Sequence, residues 1–205
     1  MNNKVSFYRP KEINISEFEA IVSNMRVDLE RLCKGDFDPK EINDYVAGLV
    51  AEATPLNHRA DMLFWKLDEP ENMPSDARVD FVFTPTYMAS AFIMKAALLT
   101  PELMNDDKIK STLAAALLGS TARGFAGHGY ESNIGRVKAI KIFASAGARQ
   151  FIEEYPDLCP VFTRLYKKTV NDIKSWVKNN EAVDPWGYDF SSEAEEVLQI
   201  EAVSK

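Results

Sequence analysis

A glycine-rich stretch, residues 119–135, carries the side chains of this sequence that are best suited to bind a ligand. It holds five of the nine glycines of the chain. Arginines in such a stretch would attract an anion, while a histidine and a glutamate exchange protons or bind metal ions. We predict that a ligand-binding site here would use Arg123, His128, Tyr130, Glu131 and Arg136.

The first interpretation of this stretch is a phosphate cradle. Closely spaced glycines precede a predicted helix, whose N-terminal amides would point towards an anion, and Arg123 and Arg136 would add positive charge. The sequence G-F-A-G-H-G matches neither the Walker loop, which requires Gly-Lys-Ser/Thr, nor the dinucleotide-binding fingerprint, which follows a strand. A phosphate-bearing small molecule is therefore one candidate ligand.

Two other interpretations stay open. His128 and Glu131 are three residues apart, so both would reach one metal ion on a helical turn, but His58 and Asp61 would have to fold across to complete the site. Alternatively the glycines permit positive φ angles and close backbone approach, which makes the stretch a tight connection between two buried helices. We predict no metal ion and no cofactor, and assign no catalytic residue.

Helical periodicity dominates the rest of the chain. Capping boxes at Ser16/Glu19, Asp38/Glu41 and Ser192/Glu195, together with Pro160 at a first helical position, mark helix starts. Apolar residues then recur at helical spacing. We predict eight helices, at about 16–34, 39–53, 56–67, 84–99, 105–119, 134–155, 160–177 and 191–203.

This pattern predicts an all-α fold, a bundle or a stack of helical hairpins, in a single domain spanning 1–205. The helix after Thr84 is apolar on all sides, which is typical of a central buried helix. Outside the helices we expect an extended arm at 1–14, an exposed acidic loop at 68–78 and a short extended segment near 79–83.

Charge is distributed unevenly. Residues 1–107 carry a net charge of −8, residues 108–178 +7 and residues 179–205 −6, in agreement with the total of −7. The basic middle segment either forms an anion site or is neutralised by the acidic segments that pack beside it. Because the whole chain is acidic, we do not expect it to bind nucleic acid.

The sequence gives weaker evidence on cellular location and partners. No secretory signal and no apolar run of about 20 residues is evident, so we expect a soluble cytoplasmic protein without a membrane anchor. Cys33 and Cys159 are too few for a disulfide framework, and we interpret them as buried thiols, although pairing stays open. Trp65, Trp186 and Tyr188 are candidate anchors for a protein partner.

Two hypotheses on function follow. The first is an interaction or scaffold protein, which holds a partner or a second copy of itself and requires no catalytic residues. The second is a ligand-binding domain or enzyme that acts on an anionic, phosphate-bearing small molecule at the glycine-rich stretch. The sequence favours the first, because it contains no motif with a specific mechanism.

Overall fold

The computed structural model of the protein describes residues 15–56, 59–65, 83–122, 133–183 and 187–203. These residues form an all-α fold with one small hairpin of two strands, which confirms the predicted fold class. The elements in chain order are α1 (Ile15–Lys34), α2 (Pro39–Glu52), β1 (Thr54–Leu56), β2 (Arg59–Phe64), α3 (Phe83–Leu99), α4 (Asp107–Ala122), α5 (Asn133–Ser145), α6 (Ala148–Glu154), α7 (Pro160–Asn179) and α8 (Ser191–Val203), with a short 3₁₀ turn (Pro101–Asn105) between α3 and α4.

Helix α3 is the centre of the core, as its apolar composition predicts. It contacts α1, α2, α4, α5, α6 and β2. Every residue from Pro85 to Met94 is buried. Full burial of a large apolar side chain contributes about 1.5–3 kcal/mol. The helix begins at Phe83, so Thr84 lies inside its first turn and is not its N-cap.

The predicted second helix is confirmed together with its capping box. The Asp38 carboxylate accepts a hydrogen bond from the Glu41 amide at 2.8 Å, and the Glu41 carboxylate accepts one from the Asp38 amide at 3.0 Å. Pro39 occupies the first helical turn. The apolar stripe of α2 faces the core and consists of Ile42, Tyr45, Val46, Leu49 and Val50.

The predicted helix at residues 56–67 is wrong, because β1 and β2 pair as antiparallel strands in which Thr54 lies opposite Phe64 and Pro55 opposite Leu63. Burial along β2 alternates with a period of two: Met62 and Phe64 are buried, whereas Asp61 is exposed. The apolar residues of this segment fit both a helical and a strand period. Packing of β2 on α4 selects the strand.

The proposed role of Trp65 as an exposed anchor is also wrong. Its side chain is 2% exposed, and its indole Nε1 donates a hydrogen bond to the Leu49 carbonyl at 3.0 Å. The Trp65 amide donates to the Thr86 hydroxyl at 3.1 Å. Trp65 therefore ties the end of the hairpin to α2 and α3.

Glycines change two predicted helix boundaries. Helix α4 continues through Gly119 to Ala122, so Gly119 does not end it. The helix predicted over residues 134–155 is interrupted at Gly147, which has a φ angle of +85° and separates α5 from α6. Only glycine adopts this left-handed conformation without strain.

Helices α7 and α8 form an outer layer on α4 and α5. Helix α7 begins at Pro160, as predicted, and buries one stripe composed of Phe162, Tyr166, Thr169, Val170 and Ile173. The predicted Ser192/Glu195 capping box is wrong, because the Asp189 carboxylate accepts hydrogen bonds from the amide and the hydroxyl of Ser191 at the start of α8.

Several predictions concern residues outside the described ranges. These are the arm at 1–14, the acidic loop at 68–78, the extended segment at 79–82 and the central part of the glycine-rich stretch, residues 123–132. The Ser16/Glu19 capping box and Trp186 also lie outside the side chains that the structure describes.

Candidate functional site

Arg136 is the one member of the predicted site that lies within the described residues, and it joins two helices. Its guanidinium donates hydrogen bonds to the Asp172 carboxylate at 2.8 Å and to the Thr169 hydroxyl at 3.3 Å. It also lies 5.4 Å from the ring centroid of Trp176. Arg136 thus fastens α5 to α7, and its charge is already compensated by a carboxylate. Arg123, His128, Tyr130 and Glu131 lie outside the described residues, so their convergence stays a prediction.

Asp172 completes this α5–α7 contact. Its carboxylate also binds the Lys168 ammonium at 2.8 Å. Partial burial alone would raise the pKa of Asp172, but the hydrogen bonds from Lys168 and Arg136 outweigh it and lower that pKa below its usual value. The carboxylate is therefore ionised at neutral pH and holds both cations.

A different cation, Lys95, stands out in the structure. It is the only charged residue of α3, and it is half-buried. Among the residues that the structure describes, no carboxylate forms an ion pair with its ammonium group. An ammonium group without a carboxylate partner can form an ion pair with an anionic ligand.

Lys95 lines a cleft of about 790 Å³ between α3, the α5–α6 junction and α8. We call it the Lys95 cleft. Its polar side chains come from all three walls, and its apolar surface comes mainly from α5 and α8. The lining comprises Lys95, Ala144, Ser145, Gly147, Gln150, Glu153, Gln199, Ile200 and Val203.

The junction between α5 and α6 forms one wall of this cleft. The Gly147 amide donates a hydrogen bond to the Ala144 carbonyl at 2.9 Å, which closes the turn. A Cβ atom at Gly147 would lie 3.0 Å from Cδ1 of Leu98 on α3, so the two walls meet closely there. The cleft is therefore shaped by a backbone conformation that requires glycine.

Helix α8 is held in place as the opposite wall by polar contacts. The Tyr166 hydroxyl donates a hydrogen bond to the Glu201 carboxylate at 2.5 Å, and Arg149 donates one to the Glu201 carbonyl at 3.3 Å. Lys141 and Glu196 form an ion pair between α5 and α8. These contacts fix α8 relative to α5 and α7.

The carboxylates near the Lys95 cleft that the structure describes do not pair with Lys95. Glu153 also lines the cleft, but its carboxylate accepts a hydrogen bond from Arg149 at 3.3 Å. The thiol of Cys33 donates a hydrogen bond to the Ser145 carbonyl at 3.3 Å. Burial raises the pKa of Cys33, Lys95 acts in the opposite direction, and Glu30 raises that pKa further.

The two cysteines are free thiols, so they do not pair. Cys159 is 5% exposed. Burial raises its pKa to about 11. A thiol with this pKa is almost entirely protonated at neutral pH and is a poor nucleophile. Its position at the start of α7 does not activate it.

Searches for other recognisable features gave negative results. Within the described ranges, no group of three or more His, Cys, Asp and Glu side chains is arranged to hold a metal ion. No helix there has both the length and the apolar character needed to cross a bilayer. Comparison of the chain with protein-family models, curated proteins and solved structures found no match.

Sequence reasoning missed the Lys95 cleft. The available signal was a single lysine in the long apolar run that precedes Leu99. On sequence alone, that lysine indicates only that the run does not span a membrane. Nothing in the local sequence indicates which elements surround it. The cleft depends on the contacts of α3 with α5 and α6 and of α8 with α5, which join residues distant in sequence.

Proposed function

We propose that the protein is a binding domain for a small organic monocarboxylate, which it holds in the Lys95 cleft. The observation that carries the proposal is the half-buried side chain of Lys95, whose ammonium group has no carboxylate partner among the described residues. A bound carboxylate would supply the missing counter-ion and form a charge-assisted hydrogen bond. Gln150 and Gln199 offer additional amide donors at the same cleft.

The lining favours one negative charge over two. Lys95 is the only cation in the cleft, and the Glu153 carboxylate is in the same lining. A monocarboxylate needs one cation, which Lys95 supplies. A dianionic phosphate would need a second cation and would be repelled by Glu153 more strongly than a monoanion. Ala144, Ile200 and Val203 give an apolar surface for the carbon chain of the ligand. The volume of about 790 Å³ lies within the usual range of small-molecule sites.

The proposal differs from both earlier hypotheses. A phosphate site at the glycine-rich stretch would have to compete with Asp172 for Arg136. For an interaction or scaffold role, Trp65 is too deeply buried to contact a partner, whereas Tyr188 is 55% exposed. Both stay hypotheses, and neither is supported by an uncompensated charge in a formed cleft. A cytoplasmic location also stays a prediction, with which two free thiols agree.

Titration of the ¹⁵N-labelled protein with sodium octanoate tests the proposal. We expect saturable changes in the amide resonances of Ala144 to Gln150 and of the last turns of α8. The Lys95→Met variant keeps the length of the side chain and removes the charge, so octanoate should bind at least about tenfold more weakly, as expected for the loss of a charge-assisted hydrogen bond. Lys138→Met is the matched control, because Lys138 is an exposed lysine of α5 outside the cleft.

Stability provides a second measurement on the same variants. Removal of a half-buried charge that lacks a partner should leave the free energy of unfolding unchanged or raise it by about 1 kcal/mol. We therefore expect Lys95→Met to unfold at the same or a higher urea concentration while losing octanoate binding. Equal octanoate affinity in the wild type and in Lys95→Met would overturn the proposal, as would resonance changes confined to other parts of the fold.

A further inference from the structure

A row of exposed basic side chains runs along the outer face of α7. Its members are Arg164, Lys167, Lys174 and Lys178, whose spacings of three, seven and four residues follow the helical period. At 3.6 residues per turn, these four positions fall within an arc of about 80° around the helix axis, and a rise of 1.5 Å per residue spreads them over about 21 Å. We call this set the α7 basic stripe.

The cations of the α7 basic stripe are not paired with carboxylates. Within the described ranges, none of the four forms an ion pair. The single acidic residue of α7, Asp172, lies outside the arc and binds Arg136 and Lys168. The one other residue within the arc of the stripe is Asn171, which is neutral and exposed. The stripe therefore presents four positive charges, with no negative one among them, on one face of one helix.

The surroundings of the stripe discriminate between classes of anionic partner. Between Arg164 and Lys178, every exposed side chain of α7 is polar, so no aromatic ring is available to stack on a nucleic-acid base and no apolar side chain to insert into a bilayer. A long nucleic acid or a membrane would also extend beyond the stripe along a chain whose net charge is −7. Because the screening length is about 8 Å at physiological salt, a short segment that lies on the stripe experiences mainly its positive charges.

We propose that the α7 basic stripe binds a short acidic segment of a partner protein, one that carries at least four carboxylates within about 21 Å. Each carboxylate would pair with one exposed cation of the stripe. A single exposed ion pair contributes little, so binding depends on several pairs that form together. No residue of α7 lines the Lys95 cleft, and the inference is therefore independent of carboxylate binding there.

Binding of fluorescein-labelled deca-glutamate, followed by fluorescence anisotropy, tests this inference. In an extended conformation this peptide measures about 31 Å, so it covers the full length of the stripe. We expect saturable binding in about 50 mM NaCl that weakens strongly in about 300 mM NaCl, because the ion pairs are exposed. Lys95→Met should bind the peptide as tightly as the wild type, even where octanoate binding is lost.

Two double variants of equal net charge locate the site. Lys167→Gln/Lys174→Gln removes two cations of the stripe and should weaken deca-glutamate binding about tenfold, as expected for the loss of two exposed ion pairs. Lys34→Gln/Lys40→Gln removes the same charge from exposed positions on α1 and α2 and should leave the affinity unchanged.

The inference is wrong if the wild type does not bind deca-glutamate, or if the two double variants, each with a native circular dichroism spectrum, bind it with equal affinity. Equal affinity would mean that only the net charge of the protein matters. The assignment to an acidic protein segment is also wrong if an oligothymidylate of the same charge, or vesicles of phosphatidylcholine and phosphatidylserine, bind more tightly than deca-glutamate under the same conditions.

Discussion

At the scale of single residues, Gly119 shows how a functional and a structural interpretation separate. As the first glycine of the glycine-rich stretch, it was a candidate for a phosphate cradle, a metal loop or a tight connection. In the structure it lies within α4 and allows the Leu63 carbonyl to approach the helix. For this glycine, close backbone approach is the explanation that the structure supports. The sequence indicated that glycines are needed in this stretch. It did not indicate the contact with the Leu63 carbonyl, because Leu63 is distant in the chain.

We predict that Gly119→Ala destabilises the protein by up to about 2 kcal/mol. Helix propensity alone would favour alanine by about 1 kcal/mol, but a new Cβ atom 2.6 Å from a backbone carbonyl forces the hairpin away from α4, at a cost of about 1–3 kcal/mol. Urea unfolding followed by circular dichroism measures the difference. An increase in the free energy of unfolding would contradict the prediction, because it would mean that the hairpin moves away from α4 without cost.

At the scale of elements, the sequence predicted those parts in which local signals agree. Helix α2 has a capping box, a first-turn proline and one apolar stripe, and helix α7 has a first-turn proline and the most regular stripe, and both form as predicted. The hairpin was missed because Leu63 and Phe64 fit a helical stripe as well as a strand, and only packing on α4 distinguishes the two. The break at Gly147 was missed because a lone glycine in a helical pattern is compatible with an uninterrupted helix.

The candidate site was predicted less well than the fold. Arg136 was identified from its charge and its position beside the glycines, and the structure places it in an ion pair with Asp172. Lys95 was visible only as an exception in an apolar run. Whether a cation is compensated depends on neighbours that tertiary packing supplies, and one sequence does not contain that information. Periodicity therefore predicts which face of a helix is buried, but not which charges remain unpaired.

The α5–α7 contact leads to a prediction on acid stability. The pKa of Asp172 is lowered in the folded protein relative to its usual value of about 3.9, so its stabilising effect is complete above about pH 4 and is lost as the pH falls through the folded-state pKa. We expect Asp172→Asn to lower the free energy of unfolding at pH 7 by about 1 kcal/mol and to reduce its decline below pH 4.

Urea unfolding at several pH values from 7 to 3 measures this effect. Asp107→Asn is the matched control, because Asp107 is an exposed residue that pairs with Lys110 at 2.9 Å within the first turn of α4, and this pair does not join two elements. Its substitution should have a smaller effect at pH 7 than that of Asp172. Identical pH profiles for the wild type and Asp172→Asn would contradict the stabilising role assigned to the α5–α7 contact.

At the scale of the whole molecule, the uneven charge distribution has a partial structural explanation. Acidic helix α8 packs on α5 and α7, where Glu196 meets Lys141 and Glu201 contacts Tyr166 and Arg149. The predicted neutralisation of the basic segment by an acidic one therefore holds for Lys141. It does not extend to the outer face of α7, where Arg164, Lys167, Lys174 and Lys178 are exposed.

Helix α8 carries both an ion pair and a buried apolar side chain, so their contributions to stability can be compared. The Lys141–Glu196 pair is partly exposed, with side-chain exposures of 36% and 45%, so it should contribute less than about 1 kcal/mol. Val197 is fully buried on the same helix, and its truncation removes two buried carbon atoms and leaves a cavity. We predict that Val197→Ala destabilises the protein by about 2 kcal/mol and that Glu196→Gln costs less than half as much.

High salt separates the contribution of the ion pair to α8 docking from that of apolar burial. At 1 M NaCl the screening length falls to about 3 Å, which weakens exposed ion pairs but not apolar contacts. The difference between Glu196→Gln and the wild type should therefore shrink at high salt, whereas the cost of Val197→Ala should persist. If the wild type instead lost several kcal/mol of stability in 1 M NaCl relative to the same urea titration at low salt, electrostatic attraction rather than apolar burial would hold α8 against α5 and α7.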